Sequence, residues 1–368
     1  MNTPLFLGVE KTIFDLRTLY GTYGYVPYKM NKFEEYDLYV RNKDFLISDS
    51  VITFTDTNGR LLALKPDVTL SIVKNLRDAV DGVQKVYYNE NVYRVSEGTH
   101  AFREIMQTGI ECIGKVDEYC LYEVLFLAAK SLAAVSNDWV LDISHLGIVS
   151  ALLDGLELPE TAKRTVIRCI GEKNAHELQT VCAENGVSAA GAEQLSRLIT
   201  VYGSPETVLP QLETLLPDNA SVCQLKRVLS AFTPELSAHL RVDFSVVGNT
   251  KYYNGLEFKG FVNGIPDSVL SGGQYDNLMQ KLGRNDGAVG FAVYLDRLER
   301  LTEPAEPYDI DDVLLYDTDD VVAVRDAVAE LAKDGNRVTA LRSVSEKLRY
   351  RRLWKWENGE VKRLETNA

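Results

Sequence analysis

What most constrains this chain is an interruption. Residues 49–145 have the texture of strands, and so does the stretch that begins at Arg241, but about a hundred residues between them do not. From about Gly147 to Ser237 the sequence is rich in Leu, Ala and Glu, and it is broken at Pro159, Gly186, Gly203 and Pro217. That texture predicts four to six short helices. Strand runs on both sides that share one sheet then predict a discontinuous α+β domain with a helical insertion, rather than alternating βαβ units.

Ahead of the interruption, Val9, Ile13, Leu16, Leu19 and Tyr20 fall on one face of a helix that Gly21 and Gly24 end. Alternation around Asn58-Gly59 predicts a hairpin with a tight I′ turn, and residues 69–77 a helix. Two long strands follow at Gln84–Val95 and Phe102–Ile113, then a helix over Asp117–Val135 and a strand over Trp139–His145. After it, strands are expected at Arg241–Val247, Tyr252–Val262 and Ser268–Leu270. A glycine turn over Ser271–Gly283 and a strand running into a helix at Gly287–Leu301 complete the core. Pro304 and Pro307, set among acidic residues, mark a linker. The division expected is therefore a core of residues 1–303, with its insert at about 147–240, and a small α/β domain of residues 304–368. The latter ends in a hairpin at Asn358-Gly359.

Composition removes several alternatives. No run approaches about 18 apolar residues, so no membrane span is expected. The N-terminal residues lack the basic start and long apolar core of a signal peptide. The net charge of −13 does not advertise a polyanionic partner, so nucleic acid is not an expected ligand. Five cysteines form no C-x-x-C pair and four scattered histidines show no zinc spacing. A reduced, cytoplasmic protein without metal or cofactor is the expectation.

Four segments share a chemical logic. Leu64–Thr69 ends a strand with Asp67 and Thr69 at the mouth of a helix. Gln107, Gly109 and Glu111 alternate on a strand, hence share one face. Glycine between two polar side chains leaves room for a small ligand. Tyr252-Tyr253-Asn254-Gly255 and Ser271–Asp276 add aromatic walls and close backbone approach. One carboxylate for an ammonium, another for an imidazole N–H and tyrosines for a ring edge would make an amino-acid pocket. Asp67 is equally suited to capping the helix that follows it. Alternation fixes the face of Glu111 without fixing what covers it. Tyr252 and Tyr253, adjacent on a strand, should point to opposite faces, so that at most one of them lines the pocket.

In this order the segments resemble histidyl-tRNA synthetases and their paralogues, from about Leu16 to Leu301. The resemblance implies the class II aminoacyl-tRNA synthetase fold, an antiparallel sheet flanked by helices, here with a helical insertion and a small C-terminal α/β remnant. Leu64–Thr69 matches the synthetase pattern L-R-P-E-G-T, with Asp67 in place of the glutamate. Val92-Tyr93-Arg94, Phe102-Arg103-Glu104 and Gln107–Glu111 match motif 2, and Gly290–Leu298 matches motif 3. The departures concern ATP. The arginine of R-G-L-D-Y-Y is missing from Gly248-Asn249-Thr250-Lys251-Tyr252-Tyr253, and Tyr294 replaces a motif 3 glycine. Ser96-Glu97-Gly98 lacks the E-R-P stretch, and Asn31 stands for the motif 1 proline.

That combination resembles the synthetase-like regulatory subunits of ATP phosphoribosyltransferase. It implies a chain without catalytic residues that pairs with the short-form catalytic subunit of that enzyme in the first step of histidine biosynthesis, with histidine as effector. It also implies a homodimer within a hetero-oligomer, formed near Asn31–Tyr39, where Phe33, Leu38 and Val40 need a cover. The expected histidine-binding residues are Asp67, Thr69, Gln107, Glu111, Tyr252 and Tyr253. Arg94, Arg103 and Arg297 would be relics of the nucleotide site. The competing expectation is a histidyl-tRNA synthetase that forms histidyl-adenylate and charges tRNA. The missing arginine, Tyr294 and the short tail weigh against it. His100 and His145 read as loop and strand-end residues, and the late basic run at Arg349, Arg351, Arg352 and Lys355 as a solvated hairpin edge or subunit contact.

Overall fold

The computed structural model describes residues 8–42, 51–76, 82–96, 99–247, 252–298 and 308–366. The chain falls into two compact units, one of Thr12–Arg300 and a smaller one that includes Leu301–Ala368.

The large unit is built on a nine-stranded sheet. Across it, in order, run β1 (Val26–Pro27), β5 (Val83–Val95), β6 (Phe102–Gly114), β12 (Gly287–Tyr294), β11 (Leu270–Gln274), β10 (Leu256–Val262), β7 (Trp139–His145), β9 (Leu240–Asp243) and β8 (Tyr202–Gly203). The pairing is antiparallel except where β1 meets β5 and β7 meets β9, which run parallel. The expected antiparallel sheet is thus its central part. Beside it, β2 (Phe33–Glu35), β4 (Leu61–Leu64) and β3 (Thr53–Thr55) form a three-stranded antiparallel sheet.

Helices cover the back of the large sheet. α1 (Gly8–Thr22) buries Leu16 and Tyr20, and the Tyr20 hydroxyl lies 2.9 Å from Ser131 Oγ of α4 (Glu118–Val135). Asp117 caps α4 through the Cys120 N–H at 2.9 Å. Gly260 lets α4 approach closely, since a Cβ there would lie 2.7 Å from Leu132 Cδ1. The insertion contains seven helices, more than the four to six expected, from α5 (Leu146–Asp154) to α11 (Pro234–Ser237). Four-residue α11 and the two-residue strand β8 are too short to leave a periodicity in the sequence.

Other boundaries moved for local reasons. Arg241–Val247 is a strand only to Asp243, whose carboxylate accepts from Ser245 N at 2.8 Å and starts a 3₁₀ turn. The strand expected from Tyr252 begins at Leu256. The expected turn at Ser271-Gly272-Gly273-Gln274 is instead the middle of β11. Between Asn31 and Tyr39 only three residues are strand, and α2 (Tyr36–Arg41) follows directly. The turn at Asn58-Gly59 is not type I′: among its residues only Gly59 has positive φ, 80°. The Asp56 carboxylate holds it, accepting from Asn58 N and Arg60 N at 2.8 Å each. Arg77, residues 248–251, Glu97, Gly98 and the linker at Pro304 and Pro307 lie outside the described residues.

In the small unit the order is β14 (Val338–Leu341), β13 (Ile310–Leu315), β15 (Tyr350–Glu357), β16 (Glu360–Thr366), with α14 (Val321–Ala332) in the β13–β14 crossover. Here the Asn-Gly dipeptide does form the expected turn, Asn358 and Gly359 both having positive φ (54° and 84°). Its basic run is locally neutralised. Arg352 donates to both oxygens of fully buried Asp312 at 2.6 Å, Arg349 pairs with Asp309, and Lys355 with Glu357.

Candidate functional site

Strand register builds the floor of the site before any side chain is considered. Glu111 lies opposite Gly290, which lies opposite Gly273, which lies opposite Glu257. One step along the strands, Gly109, Ala292, Ser271 and Lys259 make a second row on the same face. Small residues at the centre of both rows leave a trough across the sheet. A Cβ at Gly290 would lie 1.8 Å from Glu111 Oε2, and one at Gly273 would lie 2.6 Å from the Tyr253 ring. The glycines are therefore the spaces that the carboxyl and the phenol occupy. Gly109 serves differently from expectation: the Tyr88 hydroxyl already sits where its Cβ would point, 2.6 Å away, so the ring of Tyr88 takes that room.

A cavity of about 80 Å³ opens above this trough. It is lined by all six residues expected to bind histidine, together with Arg94, Tyr88, Ser271, Tyr275, Gly290 and Tyr294. Asp67 reaches it from the start of α3 (Val68–Asn75). One of its oxygens accepts from Leu70 N at 2.8 Å, so it caps the helix and lines the cavity at once. Burial raises its pKa, with the cap and Arg94 opposing. Ahead of it, Lys65 is fully buried and pairs with Glu90 at 2.9 Å, anchoring the entry to α3 on β5.

Glu111 is 1% exposed and is held from both sides. Thr69 Oγ1 donates to Oε1 at 2.6 Å and the Tyr275 hydroxyl to Oε2 at 2.5 Å. Burial pushes its pKa up to about 8 against these two donors. Gln107, 3% exposed, has an Nε2 with no hydrogen-bond partner. A buried amide donor left unmade costs about 1–3 kcal/mol, which a ligand acceptor in the cavity would recover. Tyr252 and Tyr253 both line the cavity, their rings edge to face at 4.7 Å. The expectation that only one could do so rested on a strand that the chain does not form there.

The family model described as histidyl-tRNA synthetase matches residues 7–298. An ATP phosphoribosyltransferase regulatory subunit from Clostridium kluyveri is 30% identical over 300 residues, covering 78% of this chain and 76% of that one. The chain belongs to this family of synthetase-like regulatory subunits. The fold agrees. A structure described as an ATP phosphoribosyltransferase regulatory subunit/histidyl-tRNA synthetase from Bacillus halodurans superposes with a TM-score of 0.77 at 23% identity, covering 92% and 90% of the two chains. A chain of the ATP phosphoribosyl transferase (HisG:HisZ) complex from Thermotoga maritima does so at 0.62 and 19%, covering 78% and 97%.

Within the family's pocket the three arginines part company. Arg94 lines the cavity, and its Nε donates to Pro66 O at 3.1 Å. Arg103 is exposed and lies 3.7 Å from Asp296, outside the lining. Arg297 hydrogen bonds to Ser268 O and stacks over the Tyr294 ring at 4.5 Å. Tyr294 closes the cavity on that side, with its hydroxyl 2.5 Å from Ser271 Oγ. Sequence reasoning counted Tyr275 among the aromatic walls without seeing its bond to Glu111, and it assigned no individual role to Tyr88 or Gly290. Only the register, Tyr88 against Gly109 and Glu111 against Gly290, could have brought in those two. His145 caps α5 by accepting from Gly147 N at 3.1 Å and meets Gln224 at 2.9 Å, a structural role.

Proposed function

We propose that this chain works as the non-catalytic regulatory subunit of ATP phosphoribosyltransferase and that its cavity binds histidine as effector. Its partner is the short catalytic subunit, which condenses ATP with phosphoribosyl pyrophosphate. The observation that carries the reading is a contrast within one cavity. Groups suited to an amino acid converge there, with Asp67 for the ammonium, Glu111 for the imidazole and the unpartnered Gln107 amide for the carboxylate or backbone. On the adjoining wall Tyr294, hydrogen bonded to Ser271 and lying under Arg297, stands in place of the glycine that the resemblance would put beside a nucleotide. Arg94, Arg103 and Arg297 are read as remnants of that nucleotide site, two of them now engaged with Asp296 and Tyr294.

A homodimer fits the exposed apolar residues of the small sheet. Phe33 is 52% exposed and meets Phe54 edge to face at 5.2 Å, with Leu61, and Val40 of the adjoining α2, also exposed. The cytoplasm is the compartment such biosynthesis implies, and no described helix is long and apolar enough to cross a membrane. The test combines this chain with the short catalytic subunit and follows the condensation with and without histidine. Activity that needs both chains and falls with histidine supports the reading. Histidine-dependent ATP–pyrophosphate exchange by the purified chain alone would replace it with the synthetase.

A further inference from the structure

Glu111 is the most buried acid of the cavity, and among the described residues no cation pairs with it. Facing it are Thr69 and Asp67 from the start of α3, Tyr88 from β5 and Gly290 from β12. Tyr252 and Tyr253 ahead of β10, and Tyr275 ahead of the short helix α12 (Asp276–Lys281), complete the enclosure. Asp67 adds a second acid, and the Arg94 guanidinium is engaged at Pro66 O. An ionised Glu111 in the empty cavity would be a buried charge without a counter-ion, which is costly. A neutral carboxyl there is a proton donor aimed into a space shaped for a small ring.

Resting on the reading that histidine fills this cavity, we propose that Glu111 and the ligand's imidazole share a single proton, whichever of the two brings it. When a neutral ring enters, the Glu111 O–H bond breaks and a ring N–H bond forms, leaving an imidazolium against a carboxylate. When an imidazolium enters, Glu111 gives its proton to solvent. When Glu111 is already ionised and the ring neutral, the pair takes one proton up. No other reactant is needed. The free ring titrates near 6.5, and Glu111 in the empty cavity near 8. Histidine affinity therefore has a plateau between those values and falls on both sides of it. A site that bound neutral imidazole through a fixed carboxylate acceptor would show no alkaline limb from Glu111.

Calorimetry of histidine into the full chain at pH about 5.5, 7.2 and 8.6, each in two buffers of different ionisation enthalpy, counts the protons. Expected are release of about one proton at the lowest pH, none at the middle and uptake at the highest. Affinity falls up to about tenfold per pH unit beyond the plateau. In Glu111→Gln the alkaline uptake vanishes while the acid release remains. The ligand's α-amino group is common to both proteins, so the difference reports Glu111 together with Asp67, the acid coupled to it. A second readout does not need the variant to bind. In the wild-type-minus-Glu111→Gln infrared difference at pH about 7.2, a protonated-carboxyl band is present before histidine is added and lost after it. Histidine binding with equal proton counts in both proteins and an unchanged carboxyl band overturns the shared proton. Failure of wild type to bind histidine at any of the three pH values overturns instead the assignment of the cavity.

Discussion

On one side of the cavity Asp67, Gln107 and Glu111 face open space. On the other, Tyr294 fills it and Arg297 lies across the tyrosine ring. The two sides stand on the same strands, since Gln107 and Tyr294 are register partners across β6 and β12. Their difference is therefore not one of backbone. A single large side chain, hydrogen bonded to Ser271 and stacked under a guanidinium, turns one half of the trough into protein interior and leaves the other half an open cavity. The lesson is that one sheet can keep one half of its trough open while the other closes, because the room that Gly290 and Gly273 leave for Glu111 and Tyr253 is separate from the space that Tyr294 fills.

The strongest way to break the open side is to fill it. Gly290→Ala puts a Cβ 1.8 Å from Glu111 Oε2 and 2.5 Å from Ile110 O, the second of which is backbone and cannot rotate away. Histidine binding should be lost, and the melting temperature should fall, with overpacking costing about 1–3 kcal/mol or more. Histidine titrations and thermal melts together check this. A variant that binds histidine normally would show that the trough at Gly290 is not the ligand's floor.

The next effect concerns the empty cavity. Glu111 has a folded pKa of about 8, above the carboxylate value of about 4.3 in an unfolded chain. Between those values the folded state holds a proton that the unfolded state does not. The contribution of this group to stability is fully present below about 4.3 and is lost as pH rises through 8. The loss is on the order of 3–5 kcal/mol by linkage, for a group this deeply buried. Denaturant melts at pH about 6 and 8.5 should therefore differ more for wild type than for Glu111→Gln. Equal pH slopes in the two proteins would mean that Glu111 is ionised in the empty cavity.

The closed side is sharpened by opening it. Tyr294→Gly removes a buried aromatic, a change that costs about 3–5 kcal/mol in a core and somewhat less where the site opens to solvent. It also removes the ring under Arg297, which keeps its bond to Ser268 O, and the hydroxyl partner of Ser271. ATP affinity, measured by calorimetry side by side with wild type, should rise in the variant. Stability loss without any gain of nucleotide affinity would show that Tyr294 packs the fold without being what excludes the nucleotide.

Much of this arrangement could be read from the chain, and the reasons are local. The period-two pattern of Gln107–Glu111 fixes which side chains share a face, and the Asp67–Thr69 step is a recognisable helix start. Both readings survive because they need only neighbouring residues. The readings that failed needed partners far along the chain. Gly272 and Gly273 suggest a turn until β10 and β12 are known to flank them, when they become the narrow middle of a sheet. Tyr252 and Tyr253 suggest opposite faces until Leu256 is seen to start the strand. The two Asn-Gly dipeptides make the same point: pairing that runs up to Glu357 and Glu360 leaves a two-residue turn at Asn358, whereas pairing that stops at Thr55 and Leu61 leaves a longer loop that the Asp56 side chain shapes at Asn58.

The smallest expected effect falls on the residue that sequence placed in the closed half and the structure leaves at its margin. Arg103 is exposed, and among the described residues it pairs with Asp296 at 3.7 Å. An exposed pair at that distance contributes about 0–1 kcal/mol, because solvent screens it and both side chains must be ordered to form it. Arg103→Ala should therefore leave stability within about 0.5 kcal/mol and histidine affinity unchanged, and its effect should shrink further in high salt. The same substitution at Arg94, which lines the cavity and steadies the buried Asp67 carboxyl, should weaken histidine clearly. If Arg103→Ala weakened histidine as much as Arg94→Ala, the boundary between the open and closed halves would have to move outward along β6.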